Sequence, residues 1–363
     1  MSTSRIAQLA QIISSQTNIL DEHLQSHGVP EPSFKPEGPS EPIQQAPLDV
    51  QKAKNDVIEA AIELRQLLEG PMKLLLPESN FAPLIAVYRF KLASLVPTEA
   101  PISFADLAAK GGLLEHDLRR IIRYTAIHHR VFCEPTKGYV AHTAASRLLA
   151  ENPIASHLMG LTFEECWPAH NRAVDAIGRR SDEANISGYA LANATSLNTF
   201  QFLSQHPARA QRFAAAMATT SPASLDALST HFEWAQLPAN STVVDVGGSR
   251  GHVSQHLAQK FPQLSFIVQD LPEVIEGAKD KLPETVDKGR VDFIAHDMFT
   301  AQPVQGAAVY LLRYVLHDWQ DKYCIEILRN LIPSLKAGAK VVIRDHLLPE
   351  PGTMALLQEM QMR

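Results

Sequence analysis

The stretch VVDVGGSRGHVSQHL, from Val243 to Leu257, constrains the fold more than any other part of the chain. Val243 and Val244 end a buried strand, and Gly247, Gly248 and Gly251 let the backbone turn tightly into the helix that follows. What the glycines omit narrows the ligand. Counting from Gly247, the second and third glycine positions of a GxGxxG dinucleotide fingerprint hold Ser249 and His252, so the close approach a pyrophosphate needs is not provided. Asp245 would face a phosphate with like charge. A carboxylate there suits a ligand with an ammonium group, of which the amino-acid end of S-adenosylmethionine is the obvious case. The bland alternative, less favoured even for the stretch taken alone, is a glycine turn carrying a surface aspartate.

From Thr242 onward strands and helices alternate, the pattern of a parallel α/β sheet. LSFIVQD ends in Asp270, 25 residues after Asp245, where a carboxylate can accept from both hydroxyls of a ribose. RVDFIAHDMF ends in Asp297-Met298-Phe299, suited to bonding an adenine amino group and covering its ring. AVYLLRYVLHDW brings Arg313, His317, Asp318 and Trp319 to the same edge, and KVVIRDHLLPEPG adds Asp345 at the end of a fifth strand. Singly these are weak, since Asp297 reads as a helix cap and Trp319 as core. Four strand ends in register are harder to explain as chance.

The preceding half is mainly helical. Ile6, Leu9, Ile12 and Ile13 recur at helical spacing, so residues 1–27 are predicted to form an amphipathic helix whose apolar face needs a partner. Residues 28–47 hold six prolines among Ser, Glu and Gly, which exclude helix and sheet and predict a linker. The helix opening near residue 48 is stopped by Gly70-Pro71. Within 100–150, Ser103 to Asp106 reads as a capping box, Gly111-Gly112 closes that helix, and LLEHDLRRIIRYTAIHHR followed by a short strand completes a winged-helix order. Arg119, Arg120, Arg123 and Arg130 would suit phosphates. The same helix carries Glu115 and Asp117, however, and the whole chain has 33 basic against 39 acidic residues. That balance favours a structural or dimerising winged helix over a DNA reader. Cys133, Cys166 and Cys324 lie far apart with no CxxC spacing, which argues against disulfides and metal and fits a reducing cytoplasm. No signal peptide or membrane-spanning run is evident.

From about residue 50 to the end, the sequence resembles the plant- and fungal-type small-molecule O-methyltransferases that depend on S-adenosylmethionine. The resemblance rests on PARAQRFAAAM, VVDVGGSRGHVS, QDLPEV, HDMF and RYVLHDW. It implies a class I methyltransferase sheet domain over 236–363, preceded by a helical, winged-helix dimerisation and substrate region over 48–235. It implies a cofactor set drawn from Asp245, Gly247, Gly248, Asp270, Leu271, Asp297, Met298, Arg313 and Trp319. His317 takes the general-base position, Asp345 the acidic position that orients it, and a homodimer through interlocking N-terminal helices is expected. Members of the family continue past the fifth strand with a helix, a second acidic residue and two more strands. Since the sequence stops at LQEMQMR, the sheet domain is expected to be incomplete.

The chemistry agrees with the role of His317. A phenol titrates near 10, so a neutral imidazole within hydrogen-bond reach must take its proton as the oxygen attacks, and proximity supplies much of the remaining acceleration. Without the resemblance, a lone histidine before Asp-Trp is more often structural. Fungal proteins on this scaffold that run pericyclic or dehydration steps form the alternative, and Arg344 with the many histidines leaves it open. A winged-helix DNA-binding regulator is the third reading. Phe163, Trp167, His170, Phe200 and Phe202 are candidate liners of a small-molecule pocket, each as readily plain core.

Overall fold

The structure is a computed structural model that describes residues 3–41, 43, 46–76, 80–217, 222–276, 278, 282 and 289–362. The chain divides into two compact units, residues 1–156 with 348–363, and residues 157–347.

In the first unit, α1 (Arg5–His27) packs along α2 (Leu48–Glu69). The Ser4 hydroxyl caps α1 by accepting from the Ala7 amide, and Gly28 ends it in the left-handed region at φ 61°. Leu9 and Leu24 are buried, and Arg5 donates to Glu63 of α2 at 2.7 Å. Part of the apolar face predicted to await a partner is therefore covered within the chain, while Ile6 stays exposed. Residues 28–47 contain no helix or strand among the described residues, as their prolines dictate, yet they are not a free linker. Ile43 and Ala46 join Leu24 and Val50 in a small apolar cluster. The Phe34 carbonyl accepts from the Ala144 amide at 3.1 Å, and its ring lies under the Arg130 guanidinium. Proline forbade regular structure there, not contact.

Strands β1 (Ile102–Ser103) and β2 (Tyr139–Val140) pair antiparallel beside the helices Phe104–Gly111 and Glu115–His129, giving the winged-helix order. Ser103 caps the first helix on the Asp106 amide, and Gly112 ends it at φ 64°. The Asp106 carboxylate accepts from the Ser103 hydroxyl at 2.6 Å, so the cap bond forms without a full reciprocal box. The basic cluster is largely engaged internally. Arg119 pairs with Glu115, Arg123 donates twice to Glu134 at 2.8 and 2.9 Å, and both guanidiniums lie over the Phe104 ring. Arginines so engaged are poor phosphate ligands.

The second unit is built on strands β3 (Ser241–Val246), β4 (Leu264–Asp270), β5 (Val291–Ala295), β6 (Val309–Arg313) and β7 (Lys340–Arg344), all parallel in the order β5-β4-β3-β6-β7. At its centre both faces are covered, which is why β3 and β6 are near-continuous apolar runs, whereas edge strand β7 leaves Val341 and Ile343 exposed. Val243, Phe266 and Leu311 pack with Leu257 of helix His252–Lys260 on one face, and Val244, Tyr310 and Leu312 with Ile327 of helix Asp321–Leu331 on the other. The winding reverses between β3 and β6. Outside their carboxyl ends lies the crevice in which open α/β sheets bind ligands. Residues 157–235 belong to this unit, so the expected boundary at 235/236 falls inside it. Trp234, wholly buried in the sheet core, ties that helical segment to the strands. Among the described residues no helix is long and apolar enough to cross a membrane.

Candidate active site

The turn after β3 admits only glycine at its centre. A Cβ on Gly248 would stand 2.6 Å from Cγ of Asp245 and 2.9 Å from Val268, and Gly247 and Gly251 adopt φ of 70° and 72°. Asp245 lies behind this turn and not on the surface. It is 2% exposed, and the Ser254 hydroxyl donates to it at 2.6 Å, tying helix His252–Lys260 to the strand. Burial pushes its carboxyl up to about 6, opposed by the Ser254 bond and the nearby Arg313 charge. The carboxylate therefore stands beneath the glycine turn, not on the surface that the bland reading of the stretch gave it. His252, which opens the helix, is driven down to about 4 by burial and then by Arg313.

Asp270, ending β4, accepts from the Ser249 amide through one carboxylate oxygen and from the Leu271 amide through the other, both at 2.8 Å. Ser249 sits at φ 52° to deliver that amide. Burial raises the Asp270 carboxyl, and the two amide bonds oppose the rise. A carboxylate has about four acceptor positions, so two remain for a diol. Asp297 is exposed after β5, with one oxygen accepting from the Phe299 amide at 3.0 Å within a turn, where no helix starts for it to cap. Met298 packs on the β3–β6 side of the core. Trp319 meets Phe299 edge-on at 4.7 Å, Tyr323 at 5.7 Å and Phe200 at 5.6 Å, an aromatic group following β6.

His317 projects from a single 3₁₀ turn, Leu316–Asp318. Its Nδ1 lies 2.9 Å from Oδ1 of Asp345, an ion-pair distance to a buried oxygen that has no hydrogen bond of regular geometry. Nε2 stands 3.5 Å from Asp318, and the side chain is 43% exposed. The Asp318 carboxyl is raised to about 6 by desolvation, with His317 opposing and Asp345 adding to the rise. One ring nitrogen is therefore tied to a carboxylate while the other is accessible, the arrangement a general base requires.

The candidate pocket residues separate. Phe200 joins Trp319, Trp167 begins helix Trp167–Gly178 half-buried, Phe163 is buried and His170 is exposed. Phe202 is buried, stacked on His206 at 4.0 Å and covered by Arg209 at 4.8 Å. It is a wall of an ionic cluster that the sequence did not disclose. Glu165, in the π-helical segment Leu161–Cys166, accepts from Arg209, Arg212 and Tyr189. Burial pushes the Glu165 carboxyl up, but these bonds outweigh it and hold it below the ordinary range. Arg209 and Arg212 sit three apart in PARAQRF, a spacing that places two cations on one helix face and was the available sign. Tyr314 and His346, neighbours of residues already singled out, were also passed over.

The glycine cradle, the doubly anchored carboxylate with acceptor positions to spare and the aromatic group fit S-adenosylmethionine. The described residues contain no cluster able to hold a metal. The O-methyltransferase domain family matches residues 176–362. The O-methyltransferase pyvH of Aspergillus violaceofuscus is 41% identical over 100% of this chain and 88% of its own length. The grayanic acid biosynthesis cluster O-methyltransferase of Cladonia grayi is 43% identical over 99% of this chain and 77% of its own. Among solved structures, a pericyclic reaction enzyme is similar at a TM-score of 0.69 and 26% identity, covering 97% of this chain and 87% of that one, and an equally similar structure holds S-adenosylmethionine. The chain belongs to the family of S-adenosylmethionine-dependent O-methyltransferases.

Proposed function

We propose that this O-methyltransferase acts on a phenolic hydroxyl of an aromatic or polyketide-like secondary metabolite, with His317 as general base and Asp345 as the residue that orients it. The observation that carries the reading is the His317–Asp345 pair, 2.9 Å apart at the end of the sheet with the second ring nitrogen accessible. When bound, S-adenosylmethionine supplies an electrophilic methyl group on a sulfonium. Gly247, Gly248, Asp270 and Leu271 would hold its amino-acid and ribose parts, Asp297, Met298 and Trp319 its adenine, with Asp245 and Arg313 setting the charge beside it. A phenol is almost wholly protonated at neutral pH, so the oxygen needs a base, and His317 Nε2 takes the proton while Asp345 stabilises the imidazolium that results. Phe200 is the aromatic candidate nearest this edge; Phe163, Trp167 and His170 follow it on the adjoining helices.

A pericyclic or dehydration step is the second reading, supported by the likeness to a pericyclic reaction enzyme and by two guanidiniums, Arg313 and Arg344, close to His317 through the ring of Tyr314. Homodimerisation is supported by Leu67, Leu68, Met72 and Leu75, large apolar side chains left at least half exposed at and beyond the end of α2. Three free cysteines favour a reducing, cytoplasmic setting. Mass spectrometry of reactions with candidate phenols, run with methyl-deuterated cofactor, tests the function. Gain of one labelled methyl that is lost in His317→Gln is expected; an unlabelled isomer or a loss of water would replace it with the second reading.

A further inference from the structure

We infer that Tyr314 is a positioning residue for His317, a conclusion that rests on the general-base reading above. Tyr314 follows β6 directly and has φ 54°, a left-handed backbone that bulky residues rarely adopt. Such a conformation persists only where the surroundings hold it, and here they do. Its amide donates to the Arg344 carbonyl at 3.0 Å. Its hydroxyl accepts from Arg344 Nη1 at 2.8 Å and bonds His346 Nε2 at 2.9 Å. Its ring is flanked by the guanidiniums of Arg313 at 4.5 Å and Arg344 at 5.0 Å, and lies near the His346 ring at 5.0 Å.

That fixed ring then lies nearly parallel to the imidazole of His317, 12° between planes and 5.5 Å between centroids. Asp345 lies 2.9 Å from Nδ1 and Asp318 3.5 Å from Nε2, contacts at the two ring nitrogens that leave the plane of the imidazole free to tilt. The Tyr314 ring removes that freedom. The αL turn is what carries the tyrosine side chain there, so the strain purchases orientation and not stability.

Three variants separate this role from a structural one. Tyr314→Asn keeps a residue that tolerates the left-handed backbone and removes the ring; Tyr314→Phe keeps the ring and removes the hydroxyl that pins it; His317→Gln tests the underlying reading. The readouts are the ring-proton resonances of carbon-13-labelled His317, thermal unfolding, and methyl transfer to trichlorophenol and to unsubstituted phenol. In Tyr314→Asn the unfolding temperature should hold or rise, the His317 resonances should move, and kcat should fall about three- to tenfold with KM little changed, the loss expected of one ring–ring contact. Tyr314→Phe should lie between it and the parent. Unmoved His317 resonances in Tyr314→Asn, or a fall in unfolding temperature with unchanged kcat, would overturn the positioning role. Methyl transfer to unsubstituted phenol that survives His317→Gln overturns the general-base reading itself, whereas transfer to trichlorophenol, already largely ionised at neutral pH, is expected to survive it.

Discussion

Two ionic clusters of the second unit use the same residue types to opposite ends. Around Glu165 every carboxylate position is taken: Arg209, Arg212 and Tyr189 converge on a side chain only 2% exposed, and Arg209 also reaches Asn193. Around His317 the balance is left open, with one nitrogen on Asp345, the other accessible, and 43% of the side chain exposed. A saturated network has nothing left to give a ligand; its groups serve to hold helices together. An open pair keeps an unused proton-accepting site. Perturbed and paired groups therefore point to chemistry only when some of their capacity remains unmet.

The contrast breaks most sharply by removing the central residue of each cluster. His317→Gln should lower turnover about 10²- to 10⁴-fold while leaving the unfolding temperature near that of the parent, as measured by single-turnover methyl transfer and calorimetry. Glu165→Ala should do the reverse. Stranding two half-buried arginines costs at most about 3 to 5 kcal/mol of stability, while kcat per folded molecule survives. If Glu165→Ala were as stable as the parent, the network would not be the support described here.

Asp270→Ala tests a group lying between these extremes, half satisfied by Ser249 and Leu271 and half available. Losing two charge-assisted bonds to a ribose, at about 1.5 to 3 kcal/mol each, should weaken S-adenosylmethionine binding about 10²-fold or more in a calorimetric titration. Unchanged affinity would mean that the strand ends do not meet the ribose.

The smallest effect concerns Asp245, buried, and His252, half-buried, two groups shifted in opposite senses. The raised Asp245 carboxyl contributes stability that is present below its ordinary value of 3.8 and lost as pH rises through about 6. The depressed His252 contributes stability that is present above 6.5 and lost as pH falls through about 4. Each spans about 3 kcal/mol at most, and between pH 4 and 6 they offset each other. Asp245→Asn should therefore make stability climb with pH across that window, and His252→Asn should make it decline. Parallel slopes in both variants, by thermal unfolding at stepped pH, would mean that one of the two groups is not buried as described.

Much of the sheet and its edge was legible in the amino-acid order because each strand end is a local event. Apolar runs closed by Asp270, Asp297, Arg313 and Asp345 announce both a strand and the polar residue that stands at its end, and glycines at 247, 248 and 251 announce a tight turn. Proline likewise dictated the absence of helix over 28–47. The sequence could not say that Ile43 and Ala46 would be buried there, that Asp245 would lie beneath Gly248 and not outside it, or that Phe202 would meet Arg209. Nor did it reveal that Tyr314 would turn left-handed to lie along His317. Backbone pattern is set by neighbours in the chain, within a turn or a strand. Whether a charged or aromatic side chain ends up saturated, as Glu165 is, or open, as His317 is, depends on residues tens of positions away, and only tertiary packing brings those together.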